Sequence, residues 1–171
     1  MAAPNIEHRM ATGLQASGRT LTGYAAVFNA DTRVGDFIER IAPGAFIRSL
    51  ESGRDVLALA DHDPKTVLGR TSSGTLALSE DSHGLAFTLT LPDTTAGRDL
   101  AALAARGDLG GMSFGFVPAD EVWTGDTREL REVELHEVCV VQSWPAYPQT
   151  SVALRMKQAR TPARMWLETC K

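Results

Sequence analysis

The chain is 171 residues long, with 43% hydrophobic, 22% charged and 6% aromatic residues. That length suits one domain with or without tails, and that apolar content excludes disorder of the whole chain as well as collagen-like and disulfide-scaffold classes. The net charge is −4, but Arg155, Lys157, Arg160, Arg164 and Lys171 stand against Glu168 alone near the end, so the body before them is more acidic than the total suggests.

An acidic body offers no broad surface to a phosphate backbone, so nucleic acid is not an expected partner. No apolar run approaches the roughly 20 residues of a spanning helix, so no membrane contact is expected either. Met1–Met10 carries Glu7, His8 and Arg9 and does not read as a secretory signal. Cys139 and Cys170 make no disulfide framework and suit a reducing compartment.

Residues 1–18 read as an N-terminal arm. Arg19–Asn29 is rich in strand formers around Gly23, and Asp36–Ile41 is a short strand candidate. Ala42–Gly53 reads as a short helix, with Pro43 early, Phe46, Ile47 and Leu50 at helical spacing, and Gly53 as a stop. Asp55–Ala60 is an apolar strand candidate, closed by a turn at Asp63-Pro64. Gly74–Ser79 and Gly84–Leu91 flank Glu80–His83 as a hairpin. Leu85, Phe87, Leu89 and Leu91 alternate with smaller or polar residues, which buries one face. Asp93-Thr94-Thr95 offers caps for a helix over Ala96–Arg106, stopped by Gly107. Leu109–Val117 is strand-like, Asp120–Asp126 reads as a loop, and Arg128–Val141 is the longest strand candidate. Pro145 and Pro148 end the sheet, with Ser151–Arg155 as a last strand and Met156–Lys171 as a basic tail. The domain proper is therefore expected over 19–155. Its class is mainly β or α+β: a closed or partly open β-barrel core with a few short helices around it.

Three residues carry the chemistry. In Gly110–Phe116, strand alternation puts Met112, Phe114 and Phe116 on one face and Gly111, Ser113 and Gly115 on the other. Ser113 thus sits on a face nearly stripped of side chains, where another backbone can approach. The plain alternative is a glycine-rich strand with a surface serine. Gly111–Gly115 also matches G-x-S-x-G, but a helix precedes it and strand follows, against a nucleophile elbow. His62, between Asp61 and Asp63 at a strand end, is a candidate general base, because its unperturbed pKa lies near neutrality. The same triplet invites a metal, yet no second histidine stands at ligand spacing. Glu137 falls in sequence phase with Val133, Leu135, Cys139 and Val141, so it reads as a carboxylate in an apolar face that needs a partner. An outward twist or a bulge that resets the parity is the alternative, with Glu134 or His136 as substitutes.

Together Arg19–Asn29, Ile41–Phe46, His62-Asp63-Pro64 with Leu68-Gly69-Arg70-Thr71, Gly110–Phe116, Glu134–Val138 and Pro145–Pro148 resemble the prohead proteases of tailed bacteriophages, over roughly Arg19 to Arg155. The resemblance implies a fold related to the herpesvirus assemblins. It implies His62 as base and Ser113 as nucleophile, with Glu137 at the acidic position where the herpesvirus enzymes carry a second histidine. It implies no metal and no cofactor. An oxyanion hole would map near Trp144–Tyr147, on the amides of Ala146 or Tyr147, since Pro145 has no N–H.

By the same resemblance the substrate is the scaffold, or the scaffold-like part of the major capsid protein, and also the enzyme itself. A homo-oligomer is compatible with it. The place of action is the assembling prohead in the host cytoplasm, with the enzyme absent or degraded in the mature virion. Met156–Lys171 is expected as a docking and self-cleavage segment. The rivals are a non-enzymatic capsid-assembly module and a metal-dependent hydrolase using Asp61, His62 and Asp63.

Overall fold

The computed structural model describes residues 6–11 and 14–142. The expectations for Pro145–Pro148, Ser151–Arg155 and Met156–Lys171 fall outside that range. In chain order the elements are β1 (Glu7–Ala11), β2 (Gln15–Ser17), β3 (Thr20–Val27), β4 (Thr32–Val34), β5 (Phe37–Ile41), α1 (Ile47–Glu51), β6 (Leu57–Ala60), β7 (Asp63–Arg70), β8 (Leu76–Glu80), β9 (Gly84–Thr90), α2 (Thr95–Arg106), β10 (Gly111–Thr124) and β11 (Thr127–Val141).

These strands build a seven-stranded and a four-stranded sheet. The larger sheet runs β1-β10-β11-β5-β4, with β6 and β7 joined to it through β11. The smaller runs β2-β3-β9-β8. Among the described residues they do not close into a barrel, so the core is of the partly open kind. Leu21, Leu85, Phe87 and Leu89 of the small sheet pack with Met112, Phe114, Phe116, Val138 and Val140 of the large one in one core. Phe114 lies edge-on to Phe46 at 5.6 Å and stacked on Phe116 at 5.2 Å. Each such buried ring contributes about 2–3 kcal/mol by leaving water.

Within the segment expected as an N-terminal arm, residues 7–11 and 15–17 are built into the sheets. β1 pairs antiparallel with β10, and β2 with β3. Alternation on β1 sends Glu7 and Arg9 one way and His8 the other. Arg9 makes a two-pronged contact with Glu39 on β5, at 2.5 and 2.7 Å. Arg128 on β11 binds Glu7, Glu39 and Glu121. Arg9, Arg128 and Glu39 are buried, Glu39 only 2% exposed, and together these charges fasten β1 across the sheet.

The long strand β11 organises the rest. One edge takes β10. The other edge takes β5 along Thr127–Leu130 and β6 along Glu137–Val140, both parallel. Between those two stretches this edge pairs with no strand among the described residues, and the Ala42–Ser49 segment fills the gap. Ala42 donates its N–H to Leu130 O, Val133 donates to Ala45 O, and Leu135 donates to the Ser49 hydroxyl at 2.8 Å. The helix expected over Ala42–Gly53 is consequently short, because its first half is committed to β11. Its entrance is held from β8, where the Glu80 carboxylate accepts from the N–H groups of Gly44 and Phe46.

Two other expectations shift. The Asp63-Pro64 turn is the start of β7. Among the described residues that strand pairs with β6 alone, and an edge strand tolerates proline. The loop expected at Asp120–Asp126 is mostly ribbon, with the turn confined to Gly125-Asp126. α2 follows the sequence closely: the Thr94 hydroxyl caps it at Gly97 N, and Gly107 ends it with a left-handed φ of 77°.

Candidate active site

Ser113 lies in β10 between two neighbours on the same face. Opposite it on β11 is Cys139, and on β1 is Met10. One row further along, Gly115 stands between His8 of β1 and Glu137 of β11. A Cβ at Gly115 would meet Glu137 Cγ at 2.7 Å and His8 Cε1 at 3.0 Å. Glycine at 115 therefore makes the space that the Glu137 side chain occupies. Ser113 is 1% exposed, not on the open surface the bare strand pattern suggested; His62, His8 and Glu137 gather on this face.

Glu137 reaches that face through a β-bulge. On β10, Gly115 pairs with Glu137 and the next residue, Phe116, pairs with Leu135, so His136 is the extra residue. The bulge reverses the side-chain alternation. Val133 and Leu135 face the core with Phe116, and Glu137 and Cys139 face the other way, with Ser113 and Gly115. The apolar phase read from the sequence is thus not a shared face. The Ser49 hydroxyl satisfies the Leu135 N–H at the bulge, so α1 helps set the direction of Glu137. Glu134 is instead paired with Arg54. The buried Nε2 of His136 has no hydrogen-bond partner among the described residues, and burial together with the Arg54 charge lowers the His136 pKa.

His62 sits where the chain turns from β6 into β7. Both Asp61 and His62 have left-handed backbones, with φ of 47° and 61°. Such conformations cost about 1–3 kcal/mol each and need outside support. Asp61 supplies it. Its N–H donates to Val140 O at 3.0 Å, and its carboxylate accepts from Gln142 N at 2.9 Å and Gln142 Nε2 at 2.6 Å. Asp63 caps the other side, accepting from Lys65 N and Thr66 Oγ1. The carboxylates that flank His62 thus brace a turn, and the Asp61/His62/Asp63 metal triplet is not what gathers here.

The turn swings His62 over the sheet. Its Nε2 lies 3.0 Å from Ser113 Oγ, and its Nδ1 lies 2.7 Å from Glu137 Oε1. With Nδ1–H donating to the carboxylate, Nε2 carries the lone pair that accepts the serine O–H. A hydroxyl, an imidazole and a carboxylate in that relay have the geometry for nucleophilic acyl transfer. The family model for caudovirus prohead serine proteases matches residues 5–164. The chain belongs to that family. Comparison with curated proteins and with solved structures found no match. This prohead protease is a serine peptidase with a role in capsid maturation. The oxyanion-hole expectation near Trp144–Tyr147 lies outside the described residues.

The prohead protease surrounds its relay with two residues that the sequence did not single out. His8 places Nδ1 3.4 Å from Glu137 Oε1, and its ring meets that of His62 edge-on at 4.1 Å. Cys139 places Sγ 3.0 Å from His62 Nδ1 and donates weakly to Glu137 Oε1 at 3.6 Å. Burial alone would push the Glu137 carboxyl up. The hydrogen bond and charge of His62, with His8 beside it, outweigh burial and hold it below the usual carboxylate range. Burial, and then the Glu137 charge, push the Cys139 thiol up, so it stays protonated at neutral pH. The donor atoms of His8, His62 and Glu137 lie within 4.8 Å of one another, and they are the metal-ligating group that does gather among the described residues. Strand pairing of β1 with the serine strand is the signal that would have found His8: a polar residue in Ile6–Ala11 at the same parity as Met10.

Proposed function

We propose that the prohead protease cleaves peptide bonds by acyl transfer through Ser113, with His62 as general base and Glu137 as the orienting carboxylate. The unbroken relay from Ser113 Oγ through His62 to Glu137 Oε1, at 3.0 and 2.7 Å, is the observation that supports this reading most. His62 Nε2 takes the Ser113 proton as Oγ attacks the scissile carbonyl. The imidazolium so formed is stabilised by Glu137, which remains ionised. His62 then gives the proton to the leaving amine, and water repeats the sequence to release the acyl group. The substrate is the scaffold, or the scaffold-like part of the major capsid protein, inside the assembling prohead in the host cytoplasm. The enzyme also cleaves itself and is lost or degraded before the virion matures. The basic segment Met156–Lys171 serves as docking and self-cleavage region.

The test is co-expression with the capsid protein of the same phage, read by mass spectrometry of the products. Wild type should trim the capsid or scaffold protein and itself. Ser113→Ala should leave both intact while keeping its circular dichroism and melting temperature. Full processing by the purified Ser113→Ala chain would overturn the assignment.

A further inference from the structure

Beside the catalytic histidine, on the side away from the serine, donor atoms of His8, His62 and Glu137 lie within 4.8 Å of one another, and Cys139 Sγ stands next to two of them, His62 and Glu137. His62 Nδ1 lies 2.7 Å from Glu137 Oε1 and 3.0 Å from Cys139 Sγ. Glu137 Oε1 lies 3.4 Å from His8 Nδ1 and 3.6 Å from Cys139 Sγ. Around one tetrahedral zinc ion, with bonds of about 2.0–2.3 Å, donors stand about 3.3–3.8 Å apart. Of these four separations two already fall in that range and the two shorter ones need to open by about half an ångström, while Cys139 Sγ, which is outside the His8–His62–Glu137 group, has to swing toward His8 to complete the tetrahedron. The donors come from two strands and one turn: His8 from β1, Glu137 and Cys139 from β11, and His62 from the β6–β7 turn. Each is anchored, β1 by its buried arginine and the turn by Asp61.

We propose that His8, His62, Glu137 and Cys139 form a site for a borderline-soft divalent cation of the zinc class, and that occupancy switches the protease off. The donor set decides both parts. Imidazole and thiolate ligands select such a cation over calcium or magnesium, which take oxygen. One carboxylate and one thiolate neutralise its two charges. The Cys139 thiol gives up its proton to solvent on binding, while the two imidazoles stay neutral. Both histidine side chains are 29% exposed, which leaves a way in. With Cys139 Sγ drawn in as the fourth donor, the site is closed and keeps no position for a reacting water, so it does not make the chain a metallohydrolase. The effect on the relay follows from the tautomer. A cation on Nδ1 of His62 forces the remaining ring proton to Nε2. That nitrogen then donates and cannot accept the Ser113 proton, and Glu137 is drawn away from its orienting role. The inhibitory half rests on the acyl-transfer reading above; the binding half does not.

The experiment uses the full chain carrying Ser113→Ala and Cys170→Ser, which is catalytically silent on that reading and retains Cys139 as its one thiol. It is titrated with Co2+, whose thiolate complexes give a charge-transfer band in the near ultraviolet, and then with Zn2+ in competition. The expected result is one equivalent bound with the thiolate band. Adding Cys139→Ser should abolish the band, and adding His8→Ala should weaken binding by about tenfold or more. No saturable binding, or a cobalt affinity unchanged by His8→Ala, would overturn the site. A parallel assay follows peptide hydrolysis by the Ser113 enzyme as zinc is added and then chelated. Reversible loss of hydrolysis at the concentrations that fill the site supports the switch. Undiminished hydrolysis at saturation would overturn it. Because cobalt binding needs no turnover, a protein that binds metal but never cleaves would sink the protease reading and leave the site standing.

Discussion

β1 separates two clusters of polar side chains that differ in kind. On one face, Glu7 and Arg9 join Glu39, Glu121 and Arg128 in a knot of two guanidinium groups and three carboxylates. On the other, His8 joins His62, Glu137, Cys139 and Ser113. In the first cluster, burial works against the Arg128 charge, but the hydrogen bonds and charges of its carboxylates hold its pKa up. Paired, multiply bonded arginines fix geometry and nothing else. In the second, imidazole, thiol and hydroxyl groups can each give or take a proton, and their contacts are single bonds to shared atoms. The comparison teaches that the same strand serves as fastening on one face and as working surface on the other. Damage to the first should appear as lost stability, damage to the second as lost rate.

The largest expected effect lies in the working cluster. Glu137→Gln keeps the shape but cannot stabilise the imidazolium, and should lower kcat by about 10⁴-fold with little change in melting temperature. Glu134→Gln, which frees only Arg54, should stay within a few-fold of wild type. Steady-state kinetics on a capsid-derived peptide separates the two. The reverse ranking would move the carboxylate role to Glu134. In the fastening cluster, Glu39→Ala leaves Arg9 and Arg128 buried with too little compensating charge and should cost about 3–5 kcal/mol. Denaturant melts measure it, and a stability unchanged within error would show that the knot holds nothing.

Much of this architecture was legible in the residue pattern. Alternation in Met112–Phe116 set Ser113 and the glycines against the phenylalanines, and that split is the one found. α2 and the β8–β9 hairpin announced themselves through caps and alternation. β1 did not, because Glu7, His8 and Arg9 look like a solvated arm until a partner for each charge exists. Glu137 was singled out on an apolar phase that the His136 bulge breaks. A bulge leaves no mark in the alternation itself, and the Ser49 hydroxyl that satisfies it lies 86 residues away in sequence. Long-range hydrogen bonds of this kind are what sequence periodicity cannot carry.

That bond offers a smaller perturbation linking the two kinds of damage. Ser49→Ala strips the partner from the buried Leu135 N–H and should cost about 1–3 kcal/mol. If the bulge aims Glu137, kcat should fall as well at temperatures where the variant is fully folded. A pure stability loss would confine Ser49 to packing.

The smallest effect is on pH dependence. Burial raises the Glu7 carboxyl, but its hydrogen bond with Arg128 and the charges of Arg128 and Arg9 outweigh this and lower it; Glu137 is lowered too. A carboxyl depressed by folding contributes stability that is present above its unfolded pKa and is lost as pH falls through the folded one. The melting temperature should therefore hold steady near neutrality and decline below the usual carboxylate range. Glu7→Gln should flatten that decline. An equally steep acid limb in the variant would remove Glu7 from the account.

The most direct test of the central claim is chemical. A fluorophosphonate probe reacts with a serine only when its proton is taken up by a neighbouring base, so labelling reads the relay without any substrate. Peptide mapping of the labelled full chain should place the adduct on Ser113, with His62→Ala and Glu137→Gln labelling far more slowly. An unlabelled chain, or an adduct on another serine that persists in Ser113→Ala, would contradict the account.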